Sequence, residues 1–485
     1  MGYSPRPMAS PSSDYTYLYM TQLPTAFVAD MNTLLGAEES GRLCTALAEE
    51  SPTSLRLNPQ KAATPYDGMV PVPWCEGGYY LPQRPSFTRH PLLHAGCFYV
   101  QEAASMFVAR AYAAMDFTPH RVLDLCAAPG GKSTLWRSLL PEGALLVANE
   151  PMRQRANILA ENLTKWGQAD VVVTNGYAED FARLQGFFDV IATDVPCSGE
   201  GMFRKDEGAI AEWSPDAAER CALRGWDIVS QAWPALREGG YLVYSTCTFN
   251  RTEDEDQVRR ICRELGAEAV EIPVPAEWGI TGDVTGSGLP VYRFLPHRTR
   301  GEGFFLALLR KTAPCPATRT PKKDRRPVRT GAVRDAAAVS KWLRRSSDFK
   351  IFAAGDEGLA AVRQSLYEDI VRLSGAVRTL QAGIPLAVRK GAKLIPHHAL
   401  ALSVECAPEA FPRCELPLET ALHYLAREAV TLPPETPRGY VIVTFGGHAL
   451  GFVNNLGPRA NNMYPAEWRI RHAAAPETHL KPCNT

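Results

Sequence analysis

The stretch RVLDLCAAPGGKSTLW, residues 121–136, decides the architecture. An apolar run ends at Cys126, a loop of Ala, Pro and Gly follows, and a helical stretch begins within a few residues, which is how a buried strand turns into a packed helix. The same kind of run returns at ALLVANE (144–150), DVVVTN (170–175), FDVIATDVP (188–196) and GYLVYSTCTF (240–249). Helical stretches such as MRQRANILAENLTKW lie between them. This alternation predicts a doubly wound α/β fold with a Rossmann-like parallel sheet, whose ligands gather at the C-terminal ends of the strands. VYRFLPHRTRGEGFFLALLRK (291–311) reads as a hairpin closing that sheet.

Composition bounds the rest. With 485 residues, 45% apolar and 21% charged, the chain is globular material for two to four domains. Lys plus Arg (52) balances Asp plus Glu (52), so any polyanion must be held by local basic patches. No apolar run approaches membrane-spanning length and the N-terminus lacks a signal-peptide core, so a cytoplasmic protein with no membrane partner is expected. The twelve cysteines form no C-x-x-C pair or zinc-spaced cluster, which predicts reduced thiols and no metal site.

The expected domains are an N-terminal α/β module (1–115), the sheet domain (116–312), a basic Pro-rich linker (313–333), a helical or mixed module (334–415) and a small β domain (416–485). Within the fourth, EGLAAVRQSLYEDIVRL reads as helix; near the N-terminus, TAFVADMNTLLGAEESGRLCTALAEE has helical spacing.

The loop Cys126, Ala127, Ala128, Pro129, Gly130, Gly131, Lys132 can present backbone amides at a helix N-terminus to an anionic group. Glu150 ends the next strand twenty positions after Gly130, where a carboxylate can bind both hydroxyls of a ribose. Three readings compete: a plain glycine-rich turn, a P-loop, and a site for S-adenosyl-L-methionine. The P-loop is incomplete, because Cys126 stands where its first glycine belongs.

Asp194, Pro196 and Cys197 follow the fourth strand, and Thr246 and Cys247 end the fifth. If those strands are neighbours, both thiols face one crevice; otherwise they are two buried structural cysteines. Carbon 5 of a pyrimidine is a poor nucleophile until a thiolate adds to carbon 6 and an acid near ring nitrogen 3 stabilises the resulting enamine. A second ionisable group helps to remove the carbon 5 proton and expel the thiolate.

DLCAAPGGKS, NE, DVPCSGEGMFRKD and YSTCTFNRTEDE together resemble the Sun-type family of RNA (cytosine-5)-methyltransferases. The resemblance implies a class I methyltransferase sheet, S-adenosyl-L-methionine bound by 126–132 and Glu150, Cys247 as nucleophile, Cys197 assisting release and Asp194 against the cytosine ring. Where the family often has an aspartate near the adenine, this chain has Asn175, whose amide is still able to bond an adenine edge. AGIPLAVRKGAKLIPHHALALS and TFGGHALGFVNNLGPRANNMYPAEWRIR resemble the C-terminal extensions of RsmF-type bacterial enzymes, which end in a PUA-like RNA-binding domain. These imply small-subunit (16S) ribosomal RNA, or the small subunit itself, as partner. The alternatives are transfer RNA as substrate or a non-catalytic RNA-binding protein. A DNA enzyme would use the Pro-Cys cysteine as nucleophile and carry a target-recognition insert, so DNA is not the expected partner.

Overall fold

The computed structural model describes residues 23–62, 65–315, 333–471 and 473; residues 316–332 of the expected linker lie outside them. At its centre run five parallel strands, Arg121–Asp124, Leu145–Asn149, Val171–Thr174, Phe188–Asp194 and Leu236–Thr246. Their spatial order is third, second, first, fourth, fifth. The winding reverses between the first and fourth strands, which opens a crevice at their C-terminal ends.

The continuous apolar runs follow from burial on both faces. Leu123, Val147, Ile191 and Leu242 pack into one core, and Val122, Leu146, Val190 and Val243 into the other. Strand Phe304–Lys311 pairs antiparallel with Leu236–Thr246, and Val291–Phe294 pairs with it in turn, so the expected hairpin is present. On the opposite edge, Thr379–Ala382 pairs antiparallel with Val171–Thr174. This strand arrives from beyond the linker and covers an apolar edge that would otherwise expose unpaired backbone. The sheet therefore extends past the span 116–312.

The N-terminal helical stretch is two helices, Thr25–Leu35 and Ala37–Leu47, divided at Gly36, whose φ of 83° suits glycine. Their buried Phe27, Met31 and Leu43 pack with Phe203, Trp213 and Phe249, beside the loops that carry the two cysteines. Strands Val70–Pro71, Gly78–Tyr80, Ser54–Leu57 and Phe98–Tyr99, which follow these helices in the chain, form a small sheet.

EGLAAVRQSLYEDIVRL is half strand: Gly358–Arg363 pairs with Phe349–Ala354 and Ile384–Lys390, and helix begins only at Tyr367. The missed signal was the hairpin turn AAGDEG before it, with Gly355 at φ 72°. The last four strands, Arg413–Glu415, Gly439–Phe445, His448–Asn455 and Ala460–Asn462, form one sheet. Val441 of this sheet, Leu422 of helix Leu418–Leu425 and Tyr464 after the last strand share a core with Leu57 and Phe98 of the N-terminal module, so the final β domain packs on that module. No helix among the described residues is long and apolar enough to cross a membrane.

Candidate active site

The fourth and fifth strands are parallel neighbours, with Asp194 opposite Ser245. Counting onward from that register brings both cysteines to one place: the Cys197 and Cys247 sulfurs lie 3.2 Å apart as free thiols, and the Cys247 backbone N–H donates to the Cys197 sulfur at 3.3 Å. The neighbouring thiol and burial together push Cys197 well above the usual cysteine range, so it holds its proton.

Asp194 joins the thiols to the glycine loop. Its Oδ2 takes the Lys132 ammonium at 2.9 Å, and its Oδ1 accepts from the Ser245 hydroxyl at 2.8 Å. Burial works against the Lys132 charge, yet Asp194 beside it holds the ammonium above the ordinary lysine value. Lys132 thus reaches from the head of the helix after the loop to Asp194.

Ala127 and Ala128 are buried against the second core, and the Ala127 N–H donates to the Asn149 carbonyl at 2.8 Å. Cys126 is likewise a space filler: its sulfur accepts from Thr193 at 3.7 Å and burial pushes its thiol up to about 12. Pro129 and Ala128 are held through their carbonyls by Asn162 (2.8 Å) and Arg155 (3.0 Å), and Gly130 turns at φ 118° into helix Gly131–Leu139. At the head of that helix the Ser133 hydroxyl donates to Asp124 at 2.6 Å, and burial still raises Asp124 to about 6.

Glu150 is buried at the end of the second strand, with one oxygen on the Met152 amide at 2.9 Å and the other facing exposed Arg155 at 3.4 Å. Asn175 donates its amide hydrogens to the carbonyls of Glu150 (2.9 Å) and Pro151 (2.8 Å). Its side-chain oxygen remains as the available acceptor.

Several supporting residues were absent from the sequence reading. Asn149 ties three strand ends together, donating to Leu125 (3.1 Å) and Gly176 (2.9 Å) and accepting from Thr174 at 2.9 Å. Glu200, wholly buried, accepts from Trp213 (3.0 Å), the Phe249 amide (2.7 Å), the Asn250 amide (3.0 Å) and the Asn250 side chain (2.9 Å), bracing one cysteine loop against the other. Glu253 accepts from the Ser198 amide at 2.9 Å, the Ser198 hydroxyl and the Asn250 side chain, while burial pushes its carboxyl up to about 7. Asp254 receives the Thr246 hydroxyl at 2.6 Å and pairs with buried Arg293 at 3.1 Å. Acids in TFNRTEDED look like a solvated run; their signal lay in the buried arginine forty residues later in a strand. Gly201 completes the brace, since a Cβ there would stand 2.6 Å from the Gly303 oxygen and 2.8 Å from that of Cys247.

Parallel order, glycine loop, strand-end acid and a crevice at the switch point define a class I methyltransferase fold. A methyltransferase homolog from Pyrococcus horikoshii superposes on it with a TM-score of 0.52 at 25% identity, covering 62% of this chain and all (100%) of that one. Residues 115–310 match the 16S rRNA methyltransferase RsmB/F family, residues 23–103 the N-terminal domain of 16S rRNA methyltransferase RsmF, and residues 411–470 the methyltransferase RsmF PUA domain. The ribosomal RNA small subunit methyltransferase F of Erwinia tasmaniensis is 31% identical over 92% of this chain and 96% of its own length. That of Escherichia coli O81 is 33% identical, over 82% of this chain and 84% of its own. The chain belongs to the ribosomal RNA small subunit methyltransferase F family.

Proposed function

We propose that this chain methylates carbon 5 of a cytosine in small-subunit ribosomal RNA, using S-adenosyl-L-methionine and a covalent adduct on Cys247. The observation that carries the reading is the contact of Cys197 and Cys247 at 3.2 Å beside an Asp194 that also grips Lys132 of the glycine loop. One constellation thus links the cofactor side of the crevice to a pair of thiols. The residues fit the cofactor: the loop turns through Gly130 at the end of the first strand into helix Gly131–Leu139, Glu150 offers a carboxylate to a ribose once exposed Arg155 swings aside, and Asn175 keeps one acceptor for the adenine amine. S-adenosyl-L-methionine, when bound, supplies an electrophilic methyl group.

Cys247 adds as thiolate to carbon 6, forming the sulfur–carbon bond and placing electron density on carbon 5. Asp194, with Lys132 fixing its orientation, stabilises the ring at nitrogen 3. Once carbon 5 carries the methyl group its proton passes to solvent, the C–H electron pair restores the ring double bond, and the bond from carbon 6 to Cys247 breaks with its electrons leaving on the sulfur. Cys197, holding a proton within contact of the Cys247 sulfur, protects the departing thiolate and assists its release.

The PUA-matched segment supports RNA as partner, and the names of the relatives support the ribosomal small subunit. Incubation with radiolabelled cofactor and, separately, free small-subunit RNA, assembled small subunits and transfer RNA tests this. Label recovered as 5-methylcytidine from ribosomal RNA is expected; label only in transfer RNA, or at another atom, overturns it.

A further inference from the structure

A cavity of about 620 Å³ lies far from the thiols. Its walls come from every part of the chain: Lys61 and Ala95 from the N-terminal module, Arg137 and Asp170 from the central domain, Arg344 and Arg363 from the segment after the linker, and Arg413 and His448 from the final sheet. Arg137 belongs to the helix after the first strand and Asp170 immediately precedes the third, so the cavity opens at the N-terminal ends of the strands. A strand such as Leu145–Asn149 separates the two ends by roughly 16 Å.

The cations around this cavity fall into three groups, the first being Arg137, whose guanidinium is taken up by the backbone carbonyls of Leu140 (2.9 Å), Pro141 (2.6 Å) and Asp170 (3.2 Å). Arg363 and Arg345 are consumed by the wall: Arg363 binds Asp170 at 2.9 Å and Glu405 and Glu142 at 2.8 Å, and Arg345 binds Glu142 at 2.8 Å. Lys61, Arg344 and Arg413 have no carboxylate partner among the described residues. The Lys61 ammonium donates to the Ala95 (2.8 Å) and Lys165 (2.7 Å) carbonyls only, so one of its three N–H groups is left over. Burial without a counter-charge pushes it down to about 8, and neighbouring His448 is lowered by its own burial and then by the Lys61 charge. Arg344 and Arg413 are exposed, and both act on the thiol of Cys406, which burial holds neutral by raising it to about 11. Beyond the carboxylates that Arg345 and Arg363 take up, three cations line the cavity with no carboxylate of their own among the described residues, in a chain whose net charge is zero. That is a site built for an anion.

We infer that this cavity binds backbone phosphates of the RNA, at a segment distant from the target cytosine. The inference rests on the proposed function for its partner. Guanidiniums suit phosphate oxygens in paired hydrogen bonds, and the cavity lies where the PUA-matched sheet meets the N-terminal module, at the end of the central strands opposite the thiols. Free pyrophosphate offers the same chemistry, so the two sources must be told apart.

The test uses the full chain and small-subunit ribosomal RNA, with affinity measured across a salt series. The double variant Arg344→Ala, Arg413→Ala should bind about tenfold more weakly, and the slope of log affinity against log salt should shrink by about 1.5, the loss of two phosphate contacts. Arg344→Lys, Arg413→Lys should restore the slope. Cofactor binding and the unfolding midpoint should be unchanged, since both side chains are exposed. Pyrophosphate should compete with RNA on the wild type and not on the double alanine variant. An unchanged affinity and slope in that variant overturns the inference, and pyrophosphate binding lost in the variant without loss of RNA affinity assigns the cavity to a free phosphate compound. If the wild type binds no RNA, the proposed function fails first and the inference falls with it.

Discussion

Glu200→Gln alters one atom of a buried side chain and should loosen the loops that hold both cysteines. One carboxylate oxygen accepts from Trp213 at 3.0 Å and the Asn250 side chain at 2.9 Å; the other accepts from the backbone amides of Phe249 at 2.7 Å and Asn250 at 3.0 Å. A glutamine has one acceptor oxygen and an NH2 group, so in either orientation two donors are left facing donors. Each lost bond to a charged acceptor contributes about 1.5–3 kcal/mol. The neutral amide is easier to bury than the carboxylate, whose pKa burial raises, and this returns part of the loss. A net cost of about 3 kcal/mol remains, roughly a hundredfold in the local opening equilibrium. Hydrogen exchange reads this directly: protection of the Phe249 and Asn250 amides should fall by about that factor while the Leu145–Asn149 strand keeps its protection. Methyl transfer should fall with it, because the Cys247 carbonyl is tied to Gly201 at 2.8 Å, one residue from Glu200. Unchanged protection of both amides with full activity would refute the bracing role.

Three further outcomes follow from the same geometry. Because burial raises Glu253 to about 7 from 4.5, the folded loop binds a proton that the open loop releases, so its resistance to opening should decline as pH rises from about 4.5 to about 7 and level off above; Ser198 amide exchange corrected for intrinsic rate measures this, and a flat profile, or one unchanged in Glu253→Gln, counts against it. Gly201→Ala should lower kcat at least tenfold while leaving cofactor affinity intact by calorimetry, because its Cβ would meet the Cys247 and Gly303 backbone and displace the thiols; wild-type kcat would show that the close approach is relaxed at little cost. Glu150→Ala should weaken cofactor binding by about 1.5–3 kcal/mol, the range for a charged acceptor, and calorimetry giving the wild-type constant would remove Glu150 from the ribose site.

The central sheet was legible because parallel strands buried on both faces leave unbroken apolar runs, and the paired cysteines because each follows such a run directly. The bracing acids were not. Glu200 and Asn250 meet across fifty positions, and the Arg293 that neutralises Asp254 and Glu255 sits in a strand whose other members are apolar. Nothing local distinguishes a buried carboxylate from a solvated one when its partners lie on another loop. The edge strand Thr379–Ala382 was hidden for a related reason: its pairing partner, Val171–Thr174, lies some two hundred residues earlier, and the Pro-rich basic segment between them reads as a domain boundary. Since the Asn175 backbone N–H donates to the Arg378 carbonyl at 2.9 Å, the segment after the linker also holds Asn175 in place.

The division of labour between the two thiols is the core of the account, and trapping of the RNA adduct tests it most directly. Wild type, Cys247→Ala and Cys197→Ala are each incubated with cofactor and small-subunit RNA, then resolved on a denaturing gel. Cys197→Ala should retain attack and stall at release, accumulating a denaturant-resistant protein–RNA band, while Cys247→Ala forms none and transfers no methyl group. A band from Cys247→Ala and none from Cys197→Ala would assign the nucleophile to the Pro-Cys cysteine, and full turnover in both variants would reduce the 3.2 Å contact to packing.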